Sequence, residues 1–346
     1  EGVSWSDGVQ IDAADLYLGW AATSNDFNDA NVAFLGNGTA IGTDDEGNWL
    51  VTTPDGETRA EAAEDYDPAT GELLEGYSYV TASGVAFDAY SEAMDKISPE
   101  NISFSDDGLS MTVIYDEFYV DYPYAAPGPV VPAHVVAGRA LGIDDAAEAK
   151  QALIDAFQNN DSAAIGPIAS FYNTGFDTNK LPDDPGLYLS SGPYMVTAYD
   201  EVSQLTLEAN PDYEWGPEPN IQTIIYRIIG DPAAAVQALA NEEVDVIQPQ
   251  ATADVLTELE GYADRGIVPV PGFGATYEHV DLVQTGQASP FSAAHYGGDE
   301  ETAKLVRQAL LKTVPRQEII DRLIKPLDPE AEVRNSFTVD PGTPWY

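Results

Sequence analysis

The spacing of apolar residues predicts a helix close to the start of the chain and a hairpin near residue 110. Asp12 is a favourable N-cap, Asp15 follows three residues later as in a capping box, and apolar residues continue to Trp20. Residues 101–117 alternate between apolar and polar on both sides of a turn at residues 106–108. This second pattern predicts two antiparallel strands.

Helical spacing recurs in two later regions. It covers residues 144–158 and about 161–170 in the middle of the chain, then 299–313 and a segment that begins at Pro315. The last two helices each carry an apolar face, and the second is expected to bury it. These faces consist of Leu305, Val306, Ala309 and Leu310 in the first, and Ile319, Ile320, Leu323 and Ile324 in the second.

The most regular pattern follows residue 192. A hairpin near residues 194–207 precedes a near-continuous apolar strand at 221–229, a helix that begins at Asp231, and a strand at 244–247. This order predicts a βαβ unit with parallel strands and a right-handed crossover. The remaining expected elements are a helix near 252–259 and strands near 266–270 and 276–282.

The length of 346 residues and the hydrophobic fraction of 44% predict two domains or lobes, each with a real core. We expect an α/β architecture with mixed sheets, divided into three parts. Residues 1–185 would form an appended subdomain of the first lobe, residues 186–288 its α/β core, and residues 289–346 the beginning of a second lobe.

The formal charge of −45 makes nucleic acid and anionic lipid poor partners, because both would be repelled. We interpret the acidity as the solvated surface of a secreted or salt-adapted protein, with attraction for cationic ligands as the alternative. The absence of cysteine excludes thiol chemistry and disulfides. Basic residues are concentrated between Lys304 and Arg334, which suggests a different structural unit there.

Both ends of the sequence look cut. Glu1 leads directly into a strand-like segment without a signal peptide, and the chain stops after a turn-rich stretch with no closing element. No apolar run approaches the ~18 residues of a membrane span. We therefore expect an internal piece of a longer protein.

Five short motifs occur along the chain in a definite order. They are Trp5-Ser6-Asp7-Gly8 with the helix after it, Ser191-Gly192-Pro193-Tyr194, Asn210-Pro211-Asp212-Tyr213, Asp231-Pro232 with Glu243-Val244-Asp245-Val246-Ile247, and Val306-Arg307-Gln308-Ala309-Leu310 with Pro315-Arg316-Gln317-Glu318-Ile319. Each motif alone is weak. Together, in this order, they resemble the family 5 extracellular solute-binding proteins, which include the oligopeptide, dipeptide and nickel receptors of ABC importers.

The resemblance implies a lobe like that of a type II periplasmic binding protein of cluster C, with the second lobe truncated. It implies non-catalytic capture of a short peptide, or of a similar solute such as a nickel complex or an oligosaccharide. The implied partners are that solute and the permease subunits of an ABC importer. The full-length protein would be a monomer outside the cytoplasm, at the cell surface or in the periplasm, and lipid-anchored.

Catalytic motifs are missing from the sequence. It contains neither a Gly-x-Ser-x-Gly elbow nor a glycine-rich phosphate loop. His134, His279 and His295 are not paired at the spacing of metal ligands. We therefore expect no catalytic residue, metal site or cofactor. Two other classes stay open: an extracellular carbohydrate-active enzyme with a carboxylate pair, and a structural surface module.

The candidate ligand-binding residues lie in two places. The resemblance places the hinge between lobes at residues 273–279, where family members expose strand backbone to a peptide. Tyr124, with its neighbour Tyr122, lies on a loop broken by proline and is a second candidate. For Phe273 and Tyr277 the alternative is that they are core aromatic residues at the end of the sheet. The full set is Phe273, Tyr277, Glu278, His279 and Tyr124.

Overall fold

The fold was analysed in a computed structural model. It describes residues 2–29, 31–35, 39–45, 47–67, 71–82, 84–128, 131–201, 203–270 and 279–334, together with Ser336 and Val339. The chain divides into two units, Glu1–Ile228 and Ile229–Tyr346. The three-part division at residues 185 and 288 stays a prediction.

The first unit has a helical core and four small sheets in its described part. Its helices are α1 (Ala13–Ala21), α2 (Ala133–Leu141), α3 (Ala146–Gln158) and α4 (Ser162–Thr174). Its strands are β1 (Val32–Phe34), β2 (Ala40–Gly42), β3 (Leu50–Thr52), β4 (Thr58–Ala60), β5 (Ser78–Tyr79), β6 (Ile102–Phe104), β7 (Met111–Val113), β8 (Tyr194–Asp200), β9 (Gln204–Ala209) and β10 (Thr223–Arg227). The sheet orders are β1-β2, β4-β3-β5, β6-β7 and β10-β9-β8.

The core of this unit lies between α1 and the three later helices. Trp20 of α1 is fully buried, and its indole N–H donates to the carbonyl oxygens of Met94 and Ile97. Tyr17 stacks on Trp20 with 5.3 Å between ring centroids and meets Phe157 of α3 edge-on. Aromatic pairs in these geometries stabilise a core beyond the area that they bury.

The start of α1 confirms the predicted capping box. The Asp12 carboxylate accepts the Ala14 N–H at 2.9 Å, and the Asp15 carboxylate accepts the Asp12 N–H at 3.0 Å. Two backbone donors that the helix cannot satisfy itself are thereby satisfied.

A buried ion cluster ties α1 to α3. Lys150, which is 6% exposed, places its ammonium 2.8 Å from Asp15 Oδ2 and 3.1 Å from Asp12 Oδ2. It also donates to the Gln10 carbonyl oxygen at 2.7 Å. A buried ammonium is tolerated only when it is paired and hydrogen-bonded, and these three acceptors provide that.

The same aspartate reaches two further elements. Asp15 is completely buried, and its Oδ1 accepts the Trp5 indole N–H at 3.1 Å and the Ala133 backbone N–H at 2.9 Å. Ala133 is the first residue of α2. One carboxylate therefore connects the N-terminal segment, α1, α2 and, through Lys150, α3.

Helix α2 was not predicted from the sequence. Six of its residues, from Ala133 to Gly138, are buried, so the segment lacks the polar face that marks an amphipathic helix. It ends at Gly142, which adopts a left-handed conformation with φ 70°. The predicted helix near 161–170 forms as α4 and extends to Thr174.

The hairpin predicted near residue 110 is confirmed. Strands β6 and β7 pair antiparallel, with Ile102 opposite Val113 and Phe104 opposite Met111. The predicted hairpin near 194–207 is also confirmed, because β8 and β9 pair antiparallel.

The predicted parallel βαβ unit is wrong in two respects. Strand β10 pairs antiparallel with β9 at the edge of its sheet, and Ile225 and Tyr226 are more than half exposed instead of buried. Residues 244–247 form no strand, and Val246 is 83% exposed. An apolar run alone cannot distinguish a buried central strand from an exposed edge or an irregular segment.

The described part of the second unit is helical and irregular. It contains α5 (Pro232–Ala240), α6 (Ala253–Glu260), α7 (Glu300–Leu311) and α8 (Arg316–Ile319), which continues as a π-helical turn at Ile320–Ile324. Asp231 caps α5 as predicted, since its carboxylate accepts the Ala234 N–H at 2.8 Å. The predicted strands at 266–270 and 279–282 are irregular, and residues 276–278 lie outside the described residues.

The expected burial of the last helix is also wrong. Leu305 of α7 and Leu323 beyond α8 are both more than half exposed. Within the described part of this unit, α7 packs chiefly on a short turn at Ala293–Tyr296, which does not cover that face. Helical spacing predicts the face of a helix, and burial depends on a partner element.

We expect Lys150→Met to lower the free energy of unfolding by about 3–5 kcal/mol, because it leaves Asp15 buried without its cation. Urea unfolding followed by circular dichroism measures this loss. Lys96→Met is the matched control, since Lys96 pairs with the exposed Glu117 at 2.6 Å and should cost far less. Equal losses for the two variants would contradict a central role for the buried cluster.

Candidate functional site

The first candidate surface is the aromatic loop, defined as residues 114–124. It exposes five large apolar side chains, although such residues usually lie inside a protein. Tyr124, predicted from the sequence, is 91% exposed and Phe118 is 84% exposed. The other three are Ile114, Val120 and Tyr122.

Contacts within the loop support these exposed side chains. The Tyr115 hydroxyl donates to the Ala125 carbonyl oxygen at 2.8 Å, and its ring stacks on Tyr119 with 6.0 Å between centroids. Burial raises the pKa of the Tyr115 hydroxyl, and Tyr119 adds to the shift. Tyr122–Tyr124 form a 3₁₀ turn in which the Tyr124 N–H donates to the Asp121 carbonyl oxygen at 2.9 Å.

The segment that follows the aromatic loop is pressed against α1. A side-chain carbon added at Gly19 would lie 2.3 Å from the Gly128 carbonyl oxygen, so α1 needs glycine at this point. Close approach of two backbones is one of the uses of a residue without a Cβ atom. This contact fixes where the loop returns toward α2.

Three of the five predicted ligand residues, Phe273, Tyr277 and Glu278, lie outside the described residues. His279 lies in the second unit and is half exposed, with Nε2 at 3.1 Å from Asp281 Oδ2. Tyr124 belongs to the first unit. The assignment of all five to a ligand site stays a prediction.

A cleft of about 400 Å³ lies directly beyond His279, between residues 280–284 and α7. We call it the α7 cleft. Its volume is in the range of pockets that hold small ligands. It is lined by Val280, Asp281, Leu282, Gln284, Lys304, Arg307, Gln308 and Leu311.

The two cations of the α7 cleft differ in availability. Arg307 is largely buried, donates to the Phe291 carbonyl oxygen at 2.6 Å and pairs with Glu300. Lys304 is half exposed, and its ammonium is 3.9 Å from Glu301, which is at the limit of an ion pair. Lys304 is therefore the cation that a ligand could engage.

Helix α7, which carries Lys304, has a well-formed N-cap at Asp299. The Asp299 carboxylate accepts the Thr302 backbone N–H at 3.1 Å and the Thr302 hydroxyl at 2.7 Å. The Thr302 hydroxyl is the main reason that the pKa of Asp299 lies below its usual range. An anion at this helix end is favoured by the helix dipole.

Sequence reasoning missed Lys304 and Asp281 as candidate ligand residues. The concentration of basic residues after residue 303 was visible, but it was interpreted only as a change of structural unit. Residues 280–284 and α7 are far apart in the sequence, so their proximity in the fold cannot be inferred from it. Only the excess of basic residues could have drawn attention to this region.

A second cleft, of about 330 Å³, lies in the first unit beside α2. Four of the five ionisable side chains in its lining form pairs with one another. The His134 ring has Nε2 at 2.9 Å from Asp7 Oδ2, and Arg139 donates twice to Asp184, at 2.7 and 3.0 Å. Arg139 holds the pKa of Asp184 below its usual range. These pairs fasten loops onto α2, so this cleft has a structural role.

Among the described residues no three acidic or histidine side chains are close enough to hold a metal ion. No helix in the described ranges has the length and apolar character needed to cross a membrane. Both observations concern only that part of the chain.

Comparison with known families defines the class of protein. The model of the middle region of the bacterial extracellular solute-binding proteins, family 5, matches residues 78–346. The chain belongs to this family. Its α/β fold is accordingly that of the type II periplasmic binding proteins, and members of the family function outside the cytoplasm.

Two curated proteins resemble particular stretches of the chain. Protein XP55 of Streptomyces lividans is 26% identical over 160 residues, which cover 44% of this chain and 24% of that protein. Di/tripeptide-binding protein 3 of Pseudomonas aeruginosa is 29% identical over 134 residues, covering 38% of this chain and 22% of that protein. The chain thus spans about a quarter of the length of these relatives.

Two solved structures are also similar. The periplasmic EDTA-binding protein EppA has a TM-score of 0.44 and 22% identity, covering 77% of this chain and 33% of that one. Lactococcal OppA, complexed with an endogenous peptide, has a TM-score of 0.37 and 15% identity, covering 75% of this chain and 34% of that one.

If Tyr124 belongs to a site for short peptides, Tyr124→Ala will weaken binding of the tripeptide Ala-Phe-Ala by the full-length protein about threefold to tenfold, the worth of one aromatic contact. Calorimetric titration measures the Kd. Tyr90→Ala is the matched control, because Tyr90 is another exposed tyrosine of the first unit. An unchanged Kd for Tyr124→Ala, or an equal loss for both variants, would remove the aromatic loop from the site.

If the α7 cleft binds the carboxylate of a peptide, Lys304→Gln will weaken binding of the same tripeptide roughly fivefold, or about 1 kcal/mol, through loss of an attraction for that carboxylate. The C-terminally amidated tripeptide should bind the variant and the parent equally. Lys312→Gln removes an exposed charge just beyond α7 and should change neither Kd. The idea fails if the amidated peptide loses affinity to the same extent.

Proposed function

We propose that the protein is the extracytoplasmic receptor of an ABC importer and captures a short peptide without catalysis. The match of residues 78–346 to the family 5 solute-binding proteins is the observation that carries the proposal. The name of the Pseudomonas aeruginosa relative, a di/tripeptide-binding protein, favours a peptide as the solute.

The chemistry of the two surfaces suits an end of a short peptide. The aromatic loop offers rings on which apolar side chains or peptide planes can pack. The lining of the α7 cleft includes one charge of each sign, on Lys304 and Asp281, and the apolar side chains of Val280 and Leu282. A zwitterion with apolar side chains matches such a lining better than an uncharged sugar does.

Capture would proceed by closure of two lobes. A solute that contacts both lobes stabilises the closed state relative to the open one, and the population shifts by the difference in its affinity for the two states. The permease subunits would then recognise the closed form. Such a cycle needs no bond to be made or broken, which accords with the absence of catalytic motifs from the sequence.

The proposal includes the setting of the receptor. We expect a monomer that is lipid-anchored at the cell surface or in the periplasm, with the solute and the importer permease as partners. The charge of −45 favours this setting over one beside nucleic acid. The hinge residues Phe273, Tyr277, Glu278 and His279 would contribute backbone or side-chain contacts to the solute.

Native mass spectrometry of the full-length protein, purified gently from cells, tests the function. We expect bound adducts spread over many peptide masses. A single discrete adduct would identify another defined solute, such as a nickel complex or an oligosaccharide. A bare protein mass, with no thermal stabilisation by peptides, sugars or nickel, would overturn the transport function in favour of a structural module, and turnover of a glycan would indicate the enzyme.

A further inference from the structure

The turn between α3 and α4 carries an acceptor sequence for N-linked glycosylation. Asn160-Asp161-Ser162 fits the pattern Asn-x-Ser/Thr, in which x is not proline. Two other sequences fit, Asn101-Ile102-Ser103 and Asn37-Gly38-Thr39, and the asparagine of the latter lies outside the described residues. Since a sequence match alone is a weak signal, the structure has to decide between Asn160 and Asn101.

Asn160 is free to react. Every residue from 158 to 163 is exposed, so a bulky sugar and the enzyme that attaches it would have access. Within the described residues, the Asn160 side-chain amide makes no hydrogen bond. The Ser162 hydroxyl is likewise without a partner there, because Asp161 supplies the cap of α4 by accepting the Ala163 N–H at 3.1 Å.

Backbone hydrogen bonds hold the turn at Asn160 against the end of α3. Asn160 has φ 49°, a left-handed conformation that asparagine adopts more readily than most residues. Its N–H donates to the Phe157 carbonyl oxygen at 3.2 Å, and the Asp161 N–H donates to that of Ala156 at 2.9 Å. Phe157 and Ala156 are buried, so the turn is attached to residues of the core. A sugar on the exposed Asn160 would extend into solvent.

The Asn101 side chain, in contrast, already has a hydrogen-bond partner. Its side-chain nitrogen donates to Asp116 Oδ1 at 2.5 Å, and its backbone carbonyl oxygen accepts the Ile114 N–H at 3.0 Å. Hydrogen bonds from Ser98 and Asn101 hold the pKa of Asp116 below its usual range. Ser103 lies within β6, paired with Thr112 of β7. A sugar on Asn101 would break the contact with Asp116.

We propose that Asn160 is a site of N-linked glycosylation. The proposal rests on the extracytoplasmic location of the family and not on the identity of the solute. The sugar donor would be an oligosaccharide on a lipid diphosphate. The Asn160 nitrogen attacks the anomeric carbon, forming a C–N bond, while the bond from that carbon to the diphosphate oxygen breaks. The lipid diphosphate leaves with the electron pair, and the amide loses one proton to a base of the transferase.

Tryptic digestion of the protein from its native source separates the two acceptors. Cleavage after Lys96 and Arg139 places Asn101 on peptide 97–139, and cleavage after Lys150 and Lys180 places Asn160 on peptide 151–180. We expect peptide 151–180 to carry mass increments of sugar residues, located on Asn160 by electron-transfer fragmentation. Peptide 97–139 should be unmodified.

Three variants expressed in the same host sharpen the test. Asn160→Gln and Ser162→Ala should abolish the modification, whereas Ser162→Thr should retain it. Ser162→Ala leaves the left-handed asparagine in place, so loss of the sugar there does not reflect a disturbed turn. An unmodified peptide 151–180 in the native protein would overturn the proposal, as would sugar on peptide 97–139 in its place.

Discussion

The pairing of Lys150 with the buried Asp15 is the interaction on which the rest of the first unit depends. Transfer of either charge alone into the core would be strongly unfavourable, so the two side chains must be buried together. Asp15 is completely buried and accepts hydrogen bonds from Trp5, Asp12, Lys150 and the first residue of α2. Segments far apart in sequence are thereby held at one point, although the net energy of such a pair is modest.

The scarcity of cations makes their placement informative. The chain has 14 lysine and arginine residues against 59 acidic ones, so most carboxylates have no basic partner. In the first unit, Lys150 and Arg139 are engaged with aspartates that fasten helices or loops. Lys304 in the second unit lacks such a close partner and borders a cleft. A cation left accessible in so acidic a chain is a better candidate for ligand contact than any single carboxylate.

Features that depend on neighbouring residues could be predicted from the sequence, whereas features that depend on tertiary packing could not. Asp12 and Asp15 defined a capping box because that motif depends only on residues three apart. Helix α2 was missed because burial on nearly all sides removes the amphipathic period. Strand β10 and residues 244–247 were misjudged because their apolar runs carry no information about which strand, if any, lies beside them. For the candidate site, the proline-broken loop drew attention to Tyr124, whose role stays a prediction, whereas Lys304 became a candidate only through its position opposite residues 280–284.

The position of the aromatic loop follows from the buried cluster. On one side the loop leaves the hairpin of β6 and β7, whose apolar side chains pack on the helical core. On the other side the chain passes Gly128, in contact with Gly19 of α1, before α2 begins at Ala133. Asp15 of α1 binds the Ala133 N–H. Helix α1, which carries the buried carboxylate, therefore contacts the returning chain at two points, Gly128 and Ala133. Tyr124 can therefore be almost fully exposed and still be held in place, because the loop that bears it is anchored to the most constrained part of the unit.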